Sequence, residues 1–252
     1  MKCVACGAEN PDWAKICGKC GKTLVLPDDR AGYSAGSAQY REASVDHRYI
    51  PGKMKLDYMH DIRDVNLKRL DGLQSLLAHL RSPQTNIDAL LQDAASLISR
   101  QAMIDSVSIG LRDPKDGLYR YRVMVGFRDD AVDALKRIAY RKEQFFKDSE
   151  YVGTDISKQS RLYLAEDNVI QESEQKAFNR PVLLTMKRRS VTDSLEGDYL
   201  DVKIWGSFDD LLGWIEISGT RTMQLPDTAS IRWIEIVASI IGVAVMYGTA
   251  RG

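Results

Sequence analysis

Two stretches of the chain alternate strictly between apolar and polar positions. Leu200, Val202 and Ile204 alternate with Asp201 and Lys203. After the turn Gly206-Ser207-Phe208-Asp209-Asp210, Leu211, Gly213, Ile215 and Ile217 alternate with Trp214, Glu216 and Ser218. A period of two is that of a strand with one buried face, so residues 198–218 read as an antiparallel hairpin. Earlier, Val107, Ile109 and Leu111 alternate with Ser106, Ser108 and Gly110. The turn Asp113-Pro114-Lys115-Asp116-Gly117 follows, and then Tyr119, Tyr121, Val123, Val125 and Phe127 alternate with Arg120, Arg122 and Met124. This is a second hairpin. Two strands bury too little to stand alone, so the hairpins need one shared sheet and covering helices.

Helical periods surround the hairpins. In residues 54–81, Leu70, Leu73, Leu77 and Leu80 follow a 3-4-3 spacing, which Leu67 and Leu76 widen. Such a helix wants a partner, either along its own domain or as a parallel seam between two copies. Ser82-Pro83 ends it, and Thr85-Asn86 caps a helix over residues 87–101 with Leu90, Leu91, Ala94, Leu97 and Ile98 inward. Asp129-Asp130 opens a helix expected to reach about residue 148. Residues 151–160 read as a loop, Leu162 and Leu164 as a short strand, and 172–178 as one or two helical turns. Residues 181–186 read as a strand and 187–197 as a basic-then-acidic loop. A long apolar helix follows Pro226-Asp227 and ends at Tyr247.

The four cysteines add a second body. All lie in the first twenty residues, as Cys3-Val4-Ala5-Cys6-Gly7 and Cys17-Gly18-Lys19-Cys20-Gly21. A secreted disulfide protein spreads its cysteines through its core; this clustering belongs to a metal site in a reducing compartment. Two facing C-x2-C knuckles offer four thiolates at tetrahedral distance, which suits Zn²⁺. So small a unit draws its folding energy from the metal. Residues 1–26 resemble a zinc ribbon with Cys3, Cys6, Cys17 and Cys20 as ligands; redox dithiols or free reactive thiols are the other reading. Lys2, Lys15, Lys19 and Lys22 are offset by Glu9, Asp12 and the roughly two negative charges of a zinc tetrathiolate. Phosphate binding therefore lacks an electrostatic basis. Trp13 and Ile16 form either a protein-contact patch or a small internal core. Residues 27–53 are small and polar and read as a flexible linker.

The 252 residues carry a net charge of +0, with 44% hydrophobic and 28% charged. No overall field draws such a chain to nucleic acid or an anionic membrane. The start Met1-Lys2-Cys3 lacks an apolar signal segment. The apolar run 236–247 is too short to span a bilayer. The expectation is a soluble, cytoplasmic protein of α+β class.

The element order and the closing hairpin, whose second strand begins Leu212-Gly213-Trp214-Ile215-Glu216-Ile217, resemble a GAF domain over residues 83–252. The resemblance implies a central antiparallel sheet of five or six strands. It also implies the first and last helices on one face and a loop-covered pocket on the other. No cysteine follows Cys20, which removes the thiol chemistry of bilin attachment and of sulfoxide reduction in such domains. The histidines, His47, His60 and His79, all precede it, which removes a haem ligand. The Asn-Lys-Phe-Asp-Glu signature of cyclic-nucleotide-binding relatives is absent. By resemblance, Arg161, Tyr163, Glu166, Tyr199, Trp205 and Trp214 are candidate pocket walls. Each also has a purely structural reading: Trp214 as packing, Arg161 with Glu166 as a solvated pair. The implied function is a non-enzymatic sensor or adaptor. It would dimerise through its flanking helices, with the ribbon contacting a protein. A nucleic-acid-binding or transcription-associated factor is the alternative.

Overall fold

The computed structural model describes residues 64–81, 85–146, 151–168 and 178–249. In the N-terminal part it describes residues 1–11, 14, 17–20, 22 and 24, and it adds residues 51, 54 and 148. The chain divides into two units, Met1–Leu56 and Asp57–Gly252. Most of the expected linker, the Trp13/Ile16 patch and the expected turns at 172–177 lie outside the described residues.

In the larger unit, helices α1 (Val65–His79) and α2 (Ile87–Gln101) precede β1 (Ile104–Arg112) and β2 (Tyr119–Val125). A short helix α3 (Asp129–Leu135) leads to β3 (Gly153–Asp155) and β4 (Ser160–Tyr163). Strands β5 (Tyr199–Trp205) and β6 (Leu211–Thr220) and helix α4 (Thr228–Thr249) close the unit. All six strands form one antiparallel sheet in the order β2-β1-β6-β5-β4-β3. The pairing of β1 with β6 joins the two hairpins into the shared sheet that each required.

Register turns the alternation into two chemically distinct faces. Val202 pairs with Ile215, Ile215 with Ile109, and Ile109 with Val123, which makes an apolar row across four strands. One residue along, Asp201 pairs with Glu216, Glu216 with Ser108, and Ser108 with Met124. Because successive side chains point to opposite faces, this polar row faces away from the core.

The apolar face carries the helices. Leu90, Leu91, Ala94 and Ile98 of α2 and Ile234, Val237, Ala238, Ile241 and Ala244 of α4 are all 0% exposed. Gly242 lets α4 settle onto β5, since a Cβ there would run into the carbonyl oxygen of Trp205. Asn86 caps α2 as its position suggested, accepting from Ala89 N at 3.1 Å. Helix α1 docks on the same core. Leu76 is buried, Leu73 and Leu80 pack beside it, and Leu70 and Leu77 stay exposed. Trp233 Nε1 donates to Arg69 O at 3.3 Å, and the Arg69 guanidinium lies 5.6 Å from the Trp233 ring centroid, tying α1 to α4.

Several local expectations are corrected. The helix from Asp129 ends at Leu135, because Tyr119 and Tyr140 exchange backbone hydrogen bonds of 2.9 Å and draw the chain back to the sheet edge. Residues Pro181–Thr185 form a 3₁₀ turn rather than a strand. The loop at 151–160 contains strand β3. Helix α4 is, by length and composition, long and apolar enough over Thr228–Gly248 to cross a membrane, with half of that stretch buried inside the unit. Here it is the core helix of the sheet. Strand β5 is buried on both faces, with Asp201 and Lys203 only 7% and 5% exposed. The connection between α3 and β5 covers the side expected to meet water.

Candidate functional site

The covered polar face encloses a cavity of about 660 Å³. One wall is aromatic and comes from β2, β6 and the segment after α3. The Trp214 ring stands 4.9 Å from Tyr121, 5.5 Å from Tyr140 and 5.0 Å from Phe145, centroid to centroid. Gly110, across the β1–β6 pairing, leaves the space that Trp214 occupies. The opposite wall is Tyr163 stacked on Tyr199 at 4.4 Å, with Tyr151 edge-on to Tyr199. Asn179 ties the mouth, donating to Gly126 O at 2.7 Å and accepting from Arg128 N at 3.1 Å.

Between the walls lie two carboxyls, Asp201 on β5 and Glu216 on β6, held side by side by strand register. Tyr121 Oη donates to Glu216 Oε2 at 2.9 Å and lies 3.3 Å from Tyr140 Oη. Asp201 Oδ1 and the Oγ of Ser108 are buried and lack a hydrogen-bond partner among the described residues. Burial, and then the neighbouring Glu216, push the Asp201 carboxyl well above the usual carboxylate range; Lys203 and Arg161 pull weakly the other way. Burial also raises Glu216, against hydrogen bonds from Tyr121 and Trp214. Adjacent buried carboxyls do not both ionise readily, so the pair holds a proton more tightly than either carboxyl would alone.

The nearby cations are engaged elsewhere. Arg161, the register partner of Asp201 on β4, turns to Asp148 and to Asp155 at 3.1 Å. Lys203 Nζ lies 5.2 Å from the Phe146 ring centroid and 3.9 Å from Asp155. Burial lowers the Lys203 ammonium below its ordinary value. Arg180 bonds Glu196 at 2.9 Å and lies 3.4 Å from Asp105.

Three of the six candidate wall residues, Tyr163, Tyr199 and Trp214, line the cavity. Arg161 is buried beside it, and its partners are Asp148 and Asp155 rather than Glu166. Glu166 sits on a turn and pairs with Arg188 at 2.9 Å. Arg188 also reaches the buried Asp198 at 2.9 Å, so the basic loop at 187–189 is anchored rather than solvated. Trp205 packs toward Phe146, ring centroids 6.0 Å apart. Sequence reasoning missed Asp201, Glu216, Tyr121 and Tyr140. Asp201 and Glu216 were visible as polar positions of the alternation, but periodicity alone assigns such positions to solvent. Tyr121 stood on the apolar side of its strand, which a register shift at Ile109/Gly110 interrupts, and Tyr140 fell within the expected helix.

The N-terminal unit brings Cys3, Cys6, Cys17 and Cys20 together, with all four sulfurs within 4.8 Å of one another. Cys3 Sγ lies 3.7 Å from Cys20 Sγ, and Cys6 Sγ lies 3.7 Å from Cys17 Sγ. A tetrahedron with metal–sulfur bonds of about 2.3 Å has an edge of about 3.8 Å. The donor set therefore fits a single ion. The first knuckle closes through Cys3 N to Ala8 O at 2.9 Å and Gly7 N to Cys3 O at 2.8 Å. Backbone N–H groups of Cys20 and Lys19 hold the Cys17 thiol down at about 6. Those of Ala5 and Cys6 lower Cys3. An Ala8 N–H favours the Cys6 thiolate, but the Cys20 thiol and burial outweigh it and push Cys6 up to about 12. A central dication relieves that mutual repulsion. Asn10 supports the sulfurs from behind, bonding Cys17 Sγ at 3.6 Å and accepting from Gly18 N at 3.0 Å.

No protein-family model matches the chain, and no curated protein matches its sequence. Solved structures do resemble it. The GAF domain of a phosphoenolpyruvate-protein phosphotransferase from Coxiella burnetii is 12% identical with a TM-score of 0.48, over 74% of this chain and 97% of that one. The corresponding GAF domain from Acinetobacter is 13% identical with a TM-score of 0.45, over 73% and 95%. A GAF domain/HD domain protein from Geobacter sulfurreducens is 12% identical with a TM-score of 0.46, over 66% and 96%. Likenesses this remote say nothing of ligand or activity. The GAF-like fold stands on the strand order, the helices α2 and α4 on one face and the covered cavity on the other.

Proposed function

We propose that the larger unit is a non-enzymatic sensory domain that binds a small molecule in the cavity between Trp214 and Tyr199. The observation that carries this reading is the cavity itself. It is walled by aromatic rings and floored by a few placed polar groups, one of which lacks a partner. That is the usual composition of a small-molecule site. A filled, collapsed interior would have left only a structural or pairing role.

The signal would leave the domain by contact. The flanking helices α1 and α4 are the proposed route to a second copy of the chain. The N-terminal module, with Zn²⁺ on its four thiolates, is the proposed contact to another protein. A cluster of metal-binding thiolates persists in a reducing compartment, which supports a cytoplasmic placement. The test is a thermal-shift screen of metabolites on the full chain, with mass spectrometry of small molecules released from freshly purified protein. A compound that raises the melting temperature by several degrees supports the reading. A complete screen without a hit and without released material overturns it.

A further inference from the structure

The floor of the cavity restricts the chemistry of its occupant. Asp201 and Glu216 stand side by side in the sheet, and neither has a cationic partner among the described residues. Asp201 is 7% exposed, lines the cavity, and its Oδ1 meets no donor among the described residues. A buried carboxyl oxygen left unpaired is unfavourable, and more so when it is ionised. It persists where a ligand completes it. The walls add a second, independent constraint. Trp214, Tyr121 and Tyr140 on one side and Tyr163 with Tyr199 on the other present rings around the carboxyls. Aromatic faces around a desolvated site attract a cation. The arginines at the mouth do not reverse this field, because Arg180 is held by Glu196 and Arg128 by Asp130 at 2.8 Å.

We infer that the ligand is a protonated organic amine whose N–H groups are received by Asp201 and Glu216, with its cationic end between Trp214 and Tyr199. The inference rests on the small-molecule reading above and names its ligand class. An ammonium supplies the donors that Asp201 lacks, and its charge replaces the proton held by the carboxyl pair. Binding therefore releases that proton to solvent. Lys203 and Arg161 face the same row but remain with Asp155 and Asp148. The phenols of Tyr121, Tyr140, Tyr163 and Tyr199 are all raised by burial and stay neutral. Affinity consequently increases with pH, by up to about tenfold per unit for one proton released.

The experiment is isothermal titration of the full chain with three compounds of one shape: 2-phenylethylamine, 2-phenylethanol and 3-phenylpropanoate. Putrescine and agmatine serve as aliphatic amines. The expected result is binding by at least one amine, at least tenfold tighter than the alcohol or the acid. Proton release should appear as a buffer-dependent heat. Asp201→Asn should lose at least tenfold in amine affinity; Glu216→Gln provides the same comparison should that variant fold poorly. Binding of the alcohol or acid as tightly as the amine overturns the amine inference and leaves the sensory reading standing. Amine binding unchanged in both variants also overturns it, since the amine then sits elsewhere. Failure of all five compounds overturns the inference, and only an empty metabolite screen as well removes the sensory reading.

Discussion

Replacing Gly110 by alanine tests the packing that shapes the cavity. A Cβ at this position would lie 2.7 Å from Trp214 Cε3 and closer still to Cζ3 and Cη2. Carbon atoms in contact prefer about 3.5–4.0 Å. The ring must therefore retreat by about 1 Å or more, and it has little freedom: Trp214 is 1% exposed and flanked by Tyr121, Tyr140 and Phe145. Retreat means either entering the cavity or prising β1 from β6. Overpacking of this kind costs about 1–3 kcal/mol. For a unit of this size each kcal/mol lowers the melting temperature by about 2–4 °C. The assay is urea unfolding followed by tryptophan fluorescence, on wild type, Gly110→Ala, Trp214→Leu and the double variant. Because the two residues touch, the smaller leucine side chain in place of the indole should relieve the added methyl, giving a coupling energy of about 1 kcal/mol or more. A single-variant cost below about 0.5 kcal/mol, or additive effects in the double variant, would refute the account of this wall.

Leu76→Ala, which empties a fully buried position between α1 and the core, should cost about 2–5 kcal/mol in chemical denaturation; a negligible cost would show that α1 does not dock on its own domain. Asp201 keeps its proton more tightly folded than unfolded, so its contribution is complete below the ordinary Asp pKa of about 3.9 and declines as pH rises toward the folded value. Urea midpoints of Asp201→Asn should therefore equal or exceed wild type at pH 8 and converge with it toward pH 5; a variant weaker than wild type at pH 8 would contradict this. Metal analysis should find one zinc per chain in wild type and a loss of it in Cys17→Ser. A zinc-free, folded N-terminal unit would contradict the thiolate site.

Much of this was readable from periodicity, and the remainder was not for identifiable reasons. The hairpins, their sharing of one sheet and the cap at Asn86 follow from local pattern, because a period of two and a capping side chain are local physics. The 54–81 stripe did not reveal which leucines face the domain; Leu76 goes in while Leu70 and Leu77 remain out, because α1 packs against both α2 and α4. The helix from Asp129 ended early through the pairing of Tyr119 with Tyr140, twenty-one residues apart, a contact that helical propensity does not encode. The cysteine site was legible because four ligands of one type at fixed spacing carry their chemistry in the sequence. The carboxyl pair was not. Asp201 and Glu216 look like solvent-facing strand positions until the connection from α3 to β5 covers them. Arg161 was paired with Glu166 on sequence proximity, whereas its partners Asp148 and Asp155 lie where the pattern leaves the course of the chain open.

The claim most in need of a direct test is that ligand enters on the Trp214 side of the sheet. Indole N–H signals provide it. Trp214 faces the cavity, while Trp233 lies under α1 on the opposite face with its Nε1 bonded to Arg69 O. Titration of the isotope-labelled chain with 2-phenylethylamine should move the Trp214 indole signal and leave that of Trp233 in place. A stationary Trp214 signal at saturation, or movement confined to Trp233, would contradict the account.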